Sequence, residues 1–182
     1  MNLHPNLAPI AGLVGTWRGP GVGEYPTIDT FEYTEQVTFT DIGKPFLAYA
    51  QRTWAPDGRP LHVETGYLRV PSHGRVEFVL AQPTGQTELA EGPLVAEADG
   101  FSMELHSRVV NSASAKLVDQ TVRRIRLQGT ELTTSFEMAA VGVPLTHHLS
   151  SVLTPAGPSP EQPNQHDQAY EGGDQSQPAQ PR

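Results

Sequence analysis

Apolar and polar side chains alternate over short stretches through most of the chain. Residues 31–39 are a clear example, because their odd positions are mostly apolar and their even positions are polar. A period of two is typical of a β-strand with one buried face. The same alternation recurs at residues 101–105 and 132–138. Further strands are predicted at residues 14–22, 46–54, 62–70, 75–80, 87–94, 121–127 and 145–153.

Turn residues separate these predicted strands. Asp57-Gly58, Thr84-Gly85 and Asp99-Gly100 are examples of pairs that favour tight turns. About ten short strands with tight turns predict an all-β fold, either an antiparallel sandwich or a closed barrel. A parallel α/β fold is excluded, because there is no room for crossover helices.

One segment near the N-terminus has helical spacing. Leu7, Ile10, Leu13 and Val14 lie three or four residues apart, or adjacent, and the segment contains Pro9. A proline inside so short a segment limits a helix to a turn or two. We therefore expect a short helical turn that packs against one end of the sheet structure.

The last 28 residues differ in composition from the rest. Residues 155–182 contain six prolines and six glutamines but no Leu, Ile, Val, Phe or Trp. Such a segment cannot bury enough apolar surface to offset the entropy of ordering it. The sequence therefore predicts one folded domain at residues 1–154 and a disordered tail at residues 155–182.

Charge and cysteine content narrow the function classes. The 182 residues carry a net charge of −8 and include no cysteine. Disulfides and thiolate metal sites are therefore excluded, and the acidic balance argues against nucleic acid as a partner. The locally basic run at residues 122–126 is interpreted as solvated strand positions. The sequence has no apolar run of about 18 residues and no signal-peptide pattern, so we expect a cytoplasmic protein with no membrane partner.

The first predicted strand carries a glycine-tryptophan motif. Gly15 and Trp17 form a Gly-x-Trp triplet of the kind found in lipocalins and fatty-acid-binding proteins, where the indole fills the closed end of a barrel. A tryptophan buries a large area, and adjacent glycines let neighbouring backbone approach closely. We therefore expect Gly15, Trp17, Gly19 and Gly21 to have a structural role.

The longer motif is more specific. Gly15-x-Trp17-x-Gly19-x-Gly21, followed by residues 23–28, resembles the start of the nitrobindin family. Residues 43–47, 62–69 and 144–153 resemble later segments of that family, in the same order and at similar spacing. The resemblance extends from about Leu7 to Leu153 and leaves out the tail.

This resemblance implies a ten-stranded antiparallel barrel, similar to the fatty-acid-binding fold, that holds one haem b per subunit in an open mouth. Ferric haem of this type converts peroxynitrite to nitrate and can bind nitric oxide. The family pattern Pro-Leu-x-x-His-Leu assigns the iron ligand, and hence the catalytic centre, to His148. The resemblance also puts the loop of Thr27 beside the haem edge, where its hydroxyl could hydrogen-bond a propionate or a distal ligand. Lys116 precedes a strand at the mouth, where a cation would pair with a propionate.

Periodicity alone does not choose between His147 and His148. In a straight strand, His147 shares a face with Leu145, Leu149 and Leu153, and His148 faces the other way. A β-bulge or a helical turn after Pro144 would bring His148 to the side of Leu145. The family pattern favours His148.

Two other functions stay open at this point. The same barrel and the same Gly-x-Trp triplet suit a carrier of an apolar small molecule such as a fatty acid. The Pro/Gln-rich tail could instead make the protein an adaptor. A barrel of this kind can also form a homodimer through its outer sheet, and the sequence does not decide the oligomeric state.

Overall fold

The computed structural model describes residues 3–157, and they form a closed antiparallel β-barrel. The predicted all-β class and the ten strands are confirmed, and most strands are longer than predicted. A short 3₁₀ helix spans Pro5–Leu13. The strands are β1 (Gly15–Tyr25), β2 (Ile28–Asp41), β3 (Phe46–Trp54), β4 (Pro60–Ser72), β5 (Arg75–Ala81), β6 (Gln86–Glu97), β7 (Gly100–Asn111), β8 (Val118–Gln128), β9 (Glu131–Ala140) and β10 (Val143–Pro155).

Each strand pairs with its neighbours in the sequence, and β1 pairs with β10 to close the barrel. Trp17 lies opposite Pro155, and Gly21 lies opposite Ser151, across this closing pair. Closure satisfies the hydrogen-bonding groups that an edge strand would leave unpaired. The predicted tail lies outside the described residues apart from residues 155–157.

The N-terminal 3₁₀ helix covers one end of the barrel. Leu7, Ile10 and Leu13 are fully buried against the apolar residues of that end. Trp17 is buried beside them, and its indole N–H donates to the Leu13 carbonyl oxygen at 2.9 Å. The expected helical turn and the expected structural role of Trp17 agree with this packing. Within residues 3–157, no helix has the length and apolar character needed to cross a bilayer.

Candidate functional site

The opposite end of the barrel is an open mouth that leads to a cavity of about 770 Å³. Ligand and cofactor cavities in proteins have volumes of about 300–1,000 Å³. The part of the cavity wall toward the mouth, which we call the upper wall, is largely apolar. It includes Phe31, Val109, Phe136, Met138 and Leu149.

Glycines of the N-terminal motif make room for aromatic rings in this wall. A Cβ atom on Gly21 would lie 2.3 Å from the ring of Tyr33, and one on Gly23 would lie 2.2 Å from the ring of Phe31. Both rings therefore lie across β1 and occupy the space that side chains at positions 21 and 23 would fill. The part of the motif that follows Trp17 shapes the cavity as well as the closed end.

Gly19 has a different structural role. A Cβ atom there would lie 2.0 Å from the Val152 carbonyl oxygen on β10. Gly15 has a φ of 132°, which side-chain-bearing residues rarely adopt. The expected structural role of the glycines is consistent with these contacts.

A β-bulge in β10 turns His148 toward the cavity. His147 pairs with Glu137 on β9, and Leu149 pairs with Phe136, which is adjacent to Glu137 on that strand. His148 is therefore the additional residue of the bulge, and its ring joins the cavity wall together with Leu149. His147 is not among the residues that line the cavity. Of the two histidines, the tertiary structure brings His148 to the cavity.

The hydrogen bond of His148 fixes its tautomer. Its Nδ1 atom lies 3.0 Å from the backbone carbonyl oxygen of Glu24. A carbonyl can only accept, so Nδ1 carries the proton and Nε2 keeps its lone pair. Metal-binding histidines commonly donate their other ring N–H to a carbonyl or carboxylate oxygen in this way.

The surroundings of His148 keep the imidazole neutral. The ring lies 5.3 Å from that of Tyr25, 6.2 Å from that of Phe136 and 6.5 Å from that of Phe31, measured between centroids. Burial lowers the pKa of His148 below its ordinary value, although the bond to the Glu24 carbonyl opposes this shift. A neutral imidazole with a free Nε2 lone pair is the form that binds a metal ion.

Thr27 and Lys116 also line the cavity, at its mouth. Thr27 lies in the turn between β1 and β2, and Lys116 lies in the loop before β8. Both residues are exposed. The three predicted site residues, Thr27, Lys116 and His148, therefore face one cavity.

Sequence reasoning missed a buried ionic layer below the apolar wall. The two terminal nitrogens of Arg123 each lie 2.9 Å from an oxygen of Glu64, and Nη2 also lies 2.8 Å from Glu88. Burial alone would raise the pKa of Glu64, but the charge of Arg123 and the hydrogen bonds lower it to about 2. The interpretation of residues 122–126 as solvated positions was wrong for Arg123, whose side chain lies inside the barrel and is only 11% exposed.

Glu35 is the third buried carboxyl group in this layer. It is 3% exposed, and its hydrogen bonds come from uncharged groups on Gln51, Thr134 and Ser151. Burial raises the pKa of Glu35, and its hydrogen bonds oppose that shift only in part. A sequence signal was present, because Glu35 interrupts the apolar positions of β2 and Glu64 shares a strand face with Leu68.

Fold and cavity together define a ligand-binding β-barrel with one cavity-facing histidine in its last strand. A family profile described as "THAP4-like, heme-binding beta-barrel domain" matches residues 6–154. The chain belongs to this family, which confirms the nitrobindin resemblance.

Named relatives and a solved structure agree with this assignment. The chain is 51% identical over 154 residues to peroxynitrite isomerase 1 of Mycolicibacterium paratuberculosis, and the match covers 84% of this chain and 96% of that protein. It is 50% identical to the peroxynitrite isomerase of Nocardia farcinica, over 83% of this chain and 91% of that protein. The crystal structure of Rv2717c from M. tuberculosis superposes with a TM-score of 0.83 at 45% identity, covering 86% of this chain and all of that one.

Proposed function

We propose that this barrel binds one haem b per chain through Nε2 of His148 and, with haem bound, isomerises peroxynitrite to nitrate. The family description supports haem as the ligand. Relatives named peroxynitrite isomerase, about half identical over most of this chain, support the reaction. The observation that carries the proposal is the hydrogen bond from His148 Nδ1 to the Glu24 carbonyl, because it leaves Nε2 as a ready metal ligand.

The cavity suits such a group. Haem has a broad apolar ring with two carboxylates at one edge, and it needs one strong axial nitrogen ligand. The upper wall offers the aromatic faces of Phe31 and Phe136 beside His148. Lys116 at the mouth offers a positive charge for a carboxylate. The residues present therefore fit the group.

The protein's own residues have the tasks of binding and orientation. Haem, when bound, supplies a ferric centre that attracts the peroxynitrite anion and favours its rearrangement to nitrate. His148 would hold the iron, and the Glu24 carbonyl would hold the ring of His148 in one orientation. The aromatic wall would exclude water from one face of the cavity. Thr27 and Lys116 would bind at the polar edge of the haem.

The interior charge argues against a fatty acid bound with its carboxylate toward the base of the cavity, away from Lys116 at the mouth. A fatty acid placed in the cavity would need a partner for its carboxylate. Arg123 is already bonded to Glu64 and Glu88, and Glu35 adds a further carboxyl group nearby. A carboxylate added there would meet three acidic side chains and an arginine whose charge is already paired with two of them.

A haem titration of three proteins tests the proposal. Wild-type protein should develop a sharp Soret band at one equivalent of haem and should accelerate peroxynitrite decay with nitrate as the product. His148→Ala should lose at least 90% of both signals, because the other histidine that lines the cavity, His62, is on β4 with its Nε2 atom 3.8 Å from the Glu64 carboxylate. His147→Ala is the matched control and should behave as wild type. A wild type that stays colourless, or a His148→Ala variant that retains its haem, would refute the proposal.

Three further expectations concern nitric oxide binding, location and oligomeric state, and only the first depends on haem. Nitric oxide is expected to bind the ferrous haem protein, which a shift of the Soret band under nitric oxide would test. The lack of cysteine favours a reducing compartment, and a cytoplasmic location follows as a prediction. A homodimer through the outer sheet stays a prediction that light scattering would test.

A further inference from the structure

The turn between β9 and β10 has an unusual residue. Val141 and Gly142 form a two-residue loop, and their φ angles are 49° and 83°. Positive φ at both central residues defines a type I′ turn, in which Asn-Gly is the preferred pair. Val141 is the one non-glycine residue with positive φ among residues 3–157. A β-branched side chain is strained in this region, so the turn is less stable than its geometry allows.

Packing inside the protein does not explain this strain. The side chain of Val141 is 51% exposed and lines the mouth of the cavity. Its backbone N–H donates to the Leu117 carbonyl at 3.0 Å, which ties the turn to the loop that carries Lys116. An asparagine or glycine would keep that backbone bond and relieve the strain. What only valine or another apolar residue offers at this position is an apolar surface facing the cavity.

Two other exposed apolar side chains line the same mouth. Ile28 is 49% exposed at the start of β2, and Leu61 is 40% exposed near the start of β4. Ile28, Leu61 and Val141 thus come from three separate segments. We name these three residues the apolar lip. Covering exposed apolar surface of this kind with an apolar ligand is favourable, because it removes that surface from water.

We propose that the apolar lip is a binding subsite for the hydrocarbon edge of a ring ligand in the cavity, and that the strained Val141 turn is kept for this contact. The inference rests on the proposed function, in which that ring is a porphyrin. The lip would add affinity that does not depend on the bond from His148 to iron. It would therefore act on a metal-free porphyrin as well as on haem.

Val141→Asn separates strain from ligand contact. It creates the preferred Asn-Gly turn, so the melting temperature of the ligand-free protein should rise by about 3 °C. It also removes the apolar contact, so the dissociation constants of haem and of metal-free protoporphyrin IX should each rise about tenfold. Val141→Leu keeps an apolar side chain and should bind both ligands within about threefold of wild type.

Val110→Asn is the matched control. Val110 is also an exposed valine, at 67%, but it does not line the cavity. This variant should bind both porphyrins as wild type does. Unchanged porphyrin binding by Val141→Asn, or an equal loss in Val110→Asn, would overturn the inference.

The two porphyrins distinguish failure of this inference from failure of the proposed function. If wild-type protein binds neither porphyrin, the proposed function and the inference built on it both fail. If wild type binds both and Val141→Asn binds them equally well, the inference alone fails. If Val141→Asn weakens both while His148→Ala weakens haem far more than the metal-free ring, both are supported.

Discussion

Both terminal nitrogens of the Arg123 guanidinium lie 2.9 Å from the two carboxylate oxygens of Glu64 inside the barrel. Nη2 also lies 2.8 Å from Glu88, and the ring of Phe136 packs 4.7 Å from the guanidinium carbon. One arginine therefore compensates two buried carboxylates and also supports the wall of the cavity beside His148. The Arg123 side chain therefore contributes both to the stability of the barrel and to the shape of its cavity.

Replacing this arginine should destabilise the protein strongly. Arg123→Met leaves Glu64 and Glu88 buried without a cation, and breaking a buried ion pair on one side costs about 3–5 kcal/mol. Urea unfolding at pH 7 measures the loss. Arg108→Met is the control, because Arg108 forms an exposed ion pair with Glu91. The urea midpoint of this variant should be close to that of wild type. Similar unfolding midpoints for the two variants would contradict the compensating role of Arg123.

The contribution of Glu35 to the free energy of unfolding should fall as pH rises, whereas the contribution of a paired carboxylate rises with pH. Because burial raises the pKa of Glu35, the native state keeps a proton that the unfolded chain has released above the ordinary glutamate pKa. This contribution is present at low pH and is lost as pH rises toward the folded-state pKa. Glu35→Gln should therefore raise the urea midpoint relative to wild type at pH 7.5 but not at pH 4. Equal differences at the two pH values would count against a protonated Glu35.

The charge at the mouth should contribute modestly to haem affinity. Lys116→Gln removes a cation from the cavity mouth, and an exposed ion pair contributes about 0.2–1 kcal/mol. The haem dissociation constant should therefore rise by about 1.4- to fivefold, and by more in low salt. Lys44→Gln is the matched control, because Lys44 lies between β2 and β3 at the closed end. An equal effect of both variants would show that net charge, not position, is responsible.

Gly19 should tolerate no side chain. A Cβ atom there would lie 2.0 Å from the backbone oxygen of Val152, so Gly19→Ala must push β1 away from β10. Overpacking of this kind costs about 1–3 kcal/mol, and calorimetry of the ligand-free protein measures it. Gly157→Ala is the control, since a Cβ atom there meets no atom within 4 Å. A Gly19→Ala protein as stable as the control would mean that the strand pair relaxes at no cost.

Much of the fold was predictable from local pattern. Alternation over residues 31–39 predicted β2, and the spacing of Leu7, Ile10 and Leu13 predicted the segment that covers the closed end. These predictions succeed because a strand or helix that buries one face must repeat its apolar residues at its own period. The family pattern then singled out His148 as the candidate ligand.

Other features depend on contacts between distant strands. In β8, Arg123 shares a face with Ile125 and Leu127, which is consistent with an inward position, but the pattern of one strand could not reveal its partners Glu64 and Glu88 on distant strands. The strain at Val141 could not be predicted either, because Val-Gly is not a pair typical of a type I′ turn.

The sequence by itself determined about ten short antiparallel strands, because a strand that buries one face repeats its apolar residues locally, and the family resemblance added the closed barrel with a tryptophan at one end. Only the tertiary structure decided which histidine of the pair faces the cavity. At position 148, an additional residue in β10 relative to β9 reverses the phase of the strand, and the Glu24 carbonyl on β1 then fixes the imidazole of His148. A bulge is a property of two paired strands, so the pattern of one strand does not contain it.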